Sequence, residues 1–271
     1  MTSIPARFRG RYGPWGLVAG ASEGLGAAFA RGVAARGLDV VLVARREKPL
    51  AELAAALEAE HGVRTRILVE DLGSPGAVER ILEATCELEI GLFVYNAALS
   101  KIGPLLDQPL EDLRAMLAVN CAGPLGLCWG LGRPMRERGR GGMVLMSSLA
   151  GFQGGALLAA YAATKAFNLV LAEGLWDELR GGGVDVLASC AGATLTPNFE
   201  ASRPARMSFF APAPMPPGRV VDDAFAALGK RPSTVPGLGN RFASFLLHRF
   251  ATRKAAVSTL GDATRAMYEE R

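Results

Sequence analysis

The sequence predicts an α/β fold: a doubly wound parallel sheet of the Rossmann type in three αβα layers, built as one domain over residues 1–271. Three observations point there. Short continuous apolar runs alternate with segments of helical spacing, a glycine-rich turn follows the first run, and half the residues are hydrophobic at a mean hydropathy of +0.21. Strands that are apolar throughout, rather than alternately, suit parallel sheets covered on both faces.

Residues 15–20 (WGLVAG) read as a first buried strand, and Leu25, Ala28, Phe29 and Val33 then recur at helical spacing from Gly24 through Arg36. Asp39 to Ala44 (DVVLVA) gives a second strand, Lys48 to Glu60 an alanine-rich helix, and Thr65 to Glu70 a third strand. Ile90 to Tyr95 is a fourth strand, Leu110 to Gly130 a long helix, Met143 to Met146 a fifth strand, Leu157 to Leu179 another long helix, and Val184 to Ser189 a sixth strand. Past Pro197 the pattern breaks. Asn198 to Gly218 is rich in proline and fits no regular element, although Met207, Phe209, Phe210 and Met215 make it an apolar segment. It leaves the C-terminal edge of the sixth strand, the edge where ligands bind in such sheets, and so is expected to act as a substrate lid over 198–218, the alternative being that its apolar side chains pack on the core or on a neighbouring subunit. A short helix near Val220 to Leu228, a last strand at Ser233 to Val235 and a C-terminal tail over 239–271 complete the chain.

Composition narrows the function. The formal charge is +4 with a pI near 9.0, but the arginines are scattered, so no dense basic face for nucleic acid is expected. Cys86, Cys121, Cys128 and Cys190 form no CxxC pair, and His61 and His248 stand far apart, so no metal site is expected. The charged N-terminus lacks a following apolar signal region, which leads to the expectation of a cytoplasmic protein. Gly141 to Thr164 runs 24 residues without a charge, yet five glycines, two serines and Gln153 split it into strand, turn and helix start, so no transmembrane segment is expected. Between Arg241 and Val257, basic residues accompany Phe242, Phe245, Leu246, Leu247 and Phe250 at helical spacing. Such a stripe serves as core, as the interface of a homodimer or homotetramer, or as a peripheral membrane contact.

The turn from Gly20 to Gly26 (GASEGLG) places glycines where a strand must bend sharply and let backbone approach a diphosphate, with free helix N–H groups beyond. Ser22, Glu23 and Leu25 lie in the same loop. After the second strand, where an acid would grip the ribose hydroxyls of NAD, this chain has Arg45 and Arg46. Two guanidiniums there suit a 2′-phosphate, with Ser22 as a further donor, so the expected cofactor is NADP(H); the competing reading is a solvated pair at a strand end. Tyr161 and Lys165 sit at i and i+4 of a helix, about 6 Å apart along its axis, where the Lys charge is expected to lower the Tyr pKa toward neutrality. Ser148 ends the fifth strand and can donate to a carbonyl oxygen, or else only satisfy turn backbone. Asn120, buried by pattern in an apolar helix, needs polar partners.

In this order the motifs resemble those of the short-chain dehydrogenase/reductase family, over nearly the whole chain and closest in look to its DltE-like and ketoacyl-reductase-like bacterial members. The matching residues are Gly20, Gly24, Gly26, Asp71-Leu72, Asn96-Ala97-Ala98, Asn120, Ser148, Tyr161 and Lys165. The resemblance implies that Tyr161 is the general acid in reduction, that Ser148 polarises the carbonyl, and that Lys165 binds the nicotinamide ribose and assists Tyr161. Asn120 would hold a water in a proton relay to Lys165. Gly192 precedes Thr194 and Thr196, which match positions touching the nicotinamide amide and the diphosphate. The chain departs from the pattern at Ala19, at Tyr95 and Ala98, and at Ala191; the first two departures weaken support beside the cofactor, and none removes a group the resemblance assigns to catalysis. The implied activity is hydride transfer between NADP(H) and a small hydrophobic carbonyl or alcohol substrate; the alternative is a non-catalytic NADP(H)-binding regulator or scaffold, whose hallmark would be a broken Asn-Ser-Tyr-Lys set.

Overall fold

A computed structural model describes residues 4–201 and 213–268. Its strands are β1 (Trp15–Ala19), β2 (Asp39–Ala44), β3 (Thr65–Val69), β4 (Ile90–Tyr95), β5 (Gly141–Ser148), β6 (Val184–Ala191) and β7 (Ser233–Thr234). They form one sheet in the order β3-β2-β1-β4-β5-β6-β7, every pairing parallel. The winding reverses between β1 and β4, which opens a crevice at the C-terminal ends of the central strands.

Successive residues of each strand point to opposite faces, and both faces are dry. Val18, Val40 and Leu42 pack with Phe29 and Val33 of α2 (Gly24–Ala34) and Leu50 and Leu57 of α3 (Glu47–His61). Leu17, Val41 and Val43 face the other way, onto Ile81 of α4 (Ala77–Ala84) and the helices that follow β4 and β5. Large side chains withdrawn from water contribute about 1.5–3 kcal/mol each. Hence the near absence of polar residues inside these strands.

The long helix expected after β4 is α5 (Leu110–Leu117), a π-helical segment (Ala118–Ala122) and α6 (Gly123–Glu137) in direct succession. This stretch is long and apolar enough to cross a bilayer, yet half of its most apolar window is buried inside the protein. The uncharged run from Gly141 is β5, a 3-10 turn and the start of α7 (Ala159–Leu179). That helix begins two residues later than expected, because Leu157 takes a left-handed backbone with φ of 63°.

Three elements were not foreseen. The charged N-terminus forms α1 (Ile4–Tyr12), strapped across the sheet by Arg11 and Tyr12, which both donate to Asp185 at 2.7 Å. Helix α4 precedes β4. A short helix α8 (Pro197–Ala201) stands where no regular element was expected. The lid residues Met207, Phe209 and Phe210 lie outside the described residues. Met215, read from sequence as part of the lid wall, instead bridges Thr194 and packs on the core ahead of α9 (Pro217–Ala227). The tail is two helices, α10 (Leu238–Phe250) and α11 (Arg253–Tyr268), and α10 leaves Phe242, Phe245, Leu246 and Phe250 exposed.

Candidate active site

The first two βα turns and the C-terminal ends of β4, β5 and β6 line one cleft of about 750 Å³. At its floor β1 ends in Gly20 with φ of +83°, and a Cβ there would stand 2.7 Å from the backbone of Ala97. Gly24 turns with φ of +54°, and a Cβ on Gly26 would overlap the Gly20 carbonyl at 1.9 Å. Asn96 ties the turn to the end of β4 by donating to the Gly20 carbonyl at 3.1 Å. Helix α2 has no side-chain cap and no acid in its first turn. Its leading N–H groups therefore face the cleft with the positive end of the helix dipole, a cradle for a diphosphate.

Beside this turn, just after β2, Arg46 is tied to Glu23 at 2.7 Å and donates to Ser22 Oγ at 3.3 Å. Arg45 is exposed and has no ion pair among the described residues. Asp71 accepts from Gly73 N–H at 3.0 Å, and Leu72 is buried beside it on the cleft wall. On the opposite side Thr194 donates to the Gly192 carbonyl at 3.1 Å, while Thr196 packs over Gly24 and accepts from Phe199 N–H at 3.2 Å, capping α8.

Three of the four residues expected to do chemistry, Ser148, Tyr161 and Lys165, line the cleft, and Asn120 lies buried behind them. The two serines at the end of β5 part company: Ser147 is buried and donates to the Lys165 carbonyl at 2.7 Å, whereas Ser148 faces the cleft. Ser148 Oγ accepts from Ala150 N–H at 3.2 Å, so its turn-satisfying role is real, but its own proton stays free to donate. Lys165 is buried, its Nζ donating to the Met146 carbonyl at 3.0 Å and lying 5.7 Å from the Tyr161 ring centre. Asn120 is fully buried; its Oδ1 accepts from Leu99 N–H at 2.8 Å, and its Nδ2 donates to the Leu99 carbonyl at 2.8 Å and to Thr164 Oγ1 at 3.0 Å. Both of its N–H donors are spent, which leaves one lone pair of Oδ1 and the main chain for any relay water.

The titration of the pair differs from the sequence expectation. Burial pushes Tyr161 up to about 12, opposed by a hydrogen bond with Ser148, and the nearby Tyr268 adds to the rise. Lys165 contributes nothing to lowering the phenol; its Nζ is turned to the Met146 carbonyl. Burial also lowers Lys165 to about 8. The phenol is thus a protonated acid through the ordinary range, and the lysine is an ammonium only below about pH 8. If carbonyl reduction needs both, kcat/KM for reduction should be flat below that pH and fall above it. A pH profile of initial rates checks this; a rate that climbs between pH 7 and 9 contradicts it.

Ser148, Tyr161 and Lys165 thus line one cleft with Gly20, Ser22, Glu23, Gly24, Leu25, Arg45 and Arg46, whereas Asn120 is buried behind it against Leu99 and Thr164, and Gly26 packs beneath the turn on the Gly20 carbonyl. Met267 and Tyr268, from the end of α11, line the cleft too and were not found in the sequence. No local signal marks them, since only folding brings the C-terminal end of the chain back to the crevice.

This glycine turn and this convergence of Asn120, Ser148, Tyr161 and Lys165 on a reversed parallel sheet agree with the sequence comparison, in which the short chain dehydrogenase family matches residues 15–207. The chain belongs to the short-chain dehydrogenase/reductase family. It is an oxidoreductase. Among relatives of this dehydrogenase, a 7beta-hydroxysteroid dehydrogenase of Clostridium sardiniense is 38% identical over 86% of this chain and 89% of its own length. A solved structure of a 7beta-hydroxysteroid dehydrogenase superposes with a TM-score of 0.86 at 33% identity, covering 92% of this chain and 97% of that one. A short-chain dehydrogenase from Sphingobium yanoikuyae, solved in complex with NADPH, gives a TM-score of 0.75 at 31% identity, with 87% and 93% covered.

Proposed function

We propose that this dehydrogenase uses NADP(H) to interconvert a ketone and a secondary alcohol on a bulky, mainly hydrophobic substrate of the hydroxysteroid type. The observation that carries the reading is the placement of Ser148 and Tyr161 in a glycine-turn cleft whose lining also includes the apolar Leu99, Ile102, Leu158, Phe199 and Met267. Apolar walls with a few convergent polar groups are the usual construction of small-molecule sites. The similarity to 7beta-hydroxysteroid dehydrogenases supports the steroid class, and the NADPH complex of a similar structure supports the cofactor.

The cradle fits the cofactor: the α2 N-terminus and Gly20, Gly24 and Gly26 would take the diphosphate, Arg45 the 2′-phosphate, and Thr194 and Thr196 the nicotinamide side. NADPH supplies the hydride when bound. In reduction, Ser148 donates to the substrate oxygen and Tyr161 transfers its phenolic proton to that oxygen as the alcohol forms. The phenolate left behind keeps the hydrogen bond with Ser148, the interaction that favours its ionised form. The reverse sequence serves oxidation, with the phenolate as base. The non-catalytic alternative loses ground because none of the four residues is missing: Ser148, Tyr161 and Lys165 line the cleft, and Asn120 packs behind it. The open apolar stripe of α10 supports assembly with a second copy of this chain, since exposed apolar patches commonly mark protein contacts.

The test is NADPH oxidation against a panel of keto-steroids, short and long alkyl ketones, and acyl thioesters. We expect kcat/KM to be highest for keto-steroids. A clear preference for acyl thioesters or for short ketones would reject the substrate class, and absence of turnover with the whole panel would reject the carbonyl reaction.

A further inference from the structure

Tyr95 ends β4 where the family resemblance would have asparagine, and it is buried between Ala19 and Leu145 of the neighbouring strands. Its phenol donates to the Val119 carbonyl at 2.5 Å. That carbonyl has no partner available in its own helix. In an α-helical register it would accept from Gly123 N–H, but Gly123 N–H donates to Ala118 instead. In the π register it would accept from residue 124, which is Pro124 and has no N–H. A buried carbonyl left unserved costs about 1–3 kcal/mol, so a donor from outside the helix decides whether this wide turn persists.

The next residue after Val119 is Asn120. Its side chain clasps both backbone groups of Leu99, on the loop that lines the cleft, and reaches Thr164 Oγ1, which in turn donates to the Tyr161 carbonyl at 2.8 Å. The turn is also shaped around the phenol: a Cβ on Gly123 would stand 2.4 Å from the Tyr95 oxygen. Burial, with the thiols of Cys121 and Cys128 nearby, pushes the Tyr95 phenol far above its usual range, so it stays a donor.

We infer that Tyr95 is a positioning residue for the catalytic centre: its hydroxyl replaces the helix N–H that Pro124 cannot supply, fixes the π turn, and thereby sets Asn120 against Leu99 and the Thr164–Tyr161 turn of α7. It touches neither substrate nor cofactor and acts through Asn120. The inference rests on the proposed reaction for its catalytic consequence, but its structural link can be read without turnover.

The experiment compares wild type, Tyr95→Phe, Pro124→Ala and the double variant Tyr95→Phe/Pro124→Ala in the full chain. Amide exchange is followed over residues 97–101, together with kcat and KM for both substrate and cofactor. In Tyr95→Phe, exchange at Leu99 should rise and kcat fall by about tenfold each, with KM for cofactor unchanged. In the double variant the new N–H at position 124 can serve Val119, and both quantities should return to within about threefold of wild type. Gly123→Ala, which pushes on the same hydroxyl from the other side, should reproduce the Tyr95→Phe exchange pattern if Tyr95→Phe folds poorly. Unchanged Leu99 exchange in both Tyr95→Phe and Gly123→Ala, or faster exchange with an unchanged kcat, overturns the inference. A double variant no better than Tyr95→Phe also overturns it, since the role would then be one of packing. Failure of the proposed reaction shows separately, as a wild type without turnover whose Leu99 exchange still responds to Tyr95→Phe.

Discussion

Tyr161→Phe is expected to lower turnover by at least about 100-fold, the lower bound for a positioned general acid, while leaving fold and cofactor affinity close to wild type. The ring lines the cleft from the first turns of α7, and the phenylalanine ring preserves that surface. What is lost is the proton, which burial holds on the phenol up to about 12. Ser148 can still polarise a carbonyl, so a residual rate above background is expected. The measurement is single-turnover NADPH oxidation with the best substrate of the panel, beside a fluorescence titration of NADPH. Loss of rate together with loss of NADPH affinity would point to misfolding, and an unchanged rate would reject the acid assignment.

Arg45→Ala is expected to weaken NADPH binding and leave NADH binding nearly unchanged. A charge pair at about 4 Å in an effective dielectric of 20 is worth about 4 kcal/mol before desolvation, so a net loss of about 1–3 kcal/mol is reasonable. Arg46→Ala should cost less, because that guanidinium is already matched by Glu23 at 2.7 Å and must give up part of this contact to serve a phosphate. Glu23→Gln should therefore raise NADPH affinity slightly. Titration of both cofactors by fluorescence for the three variants checks the ordering. Equal NADPH and NADH affinities in wild type, untouched by Arg45→Ala, would remove Arg45 from the cofactor site.

The sequence by itself determined the sheet, its two dry faces, the glycine turn and the order of the candidate catalytic residues. These are legible because each depends on short-range chemistry: apolar runs cannot remain in water, a strand cannot reverse sharply without glycine, and residues four apart on a helix share a face. Boundaries slipped where long-range geometry intervenes, as at Leu157, whose left-handed backbone delays α7, and at Ala19, where β1 ends one residue early to release the turn. Only the tertiary structure decided the rest. It tied Ser147 to the Lys165 carbonyl while leaving Ser148 part-exposed at the end of β5, and brought Met267 and Tyr268 to a cleft whose other residues lie far away in the chain. It reversed the expected direction of the Tyr161 shift, because burial raises the phenol and Lys165, its Nζ turned to the Met146 carbonyl, contributes nothing to lowering it. And it gave the Val119 carbonyl its partner in Tyr95. Desolvation and unmet hydrogen bonds depend on everything packed around a group, so no local stretch of sequence encodes them.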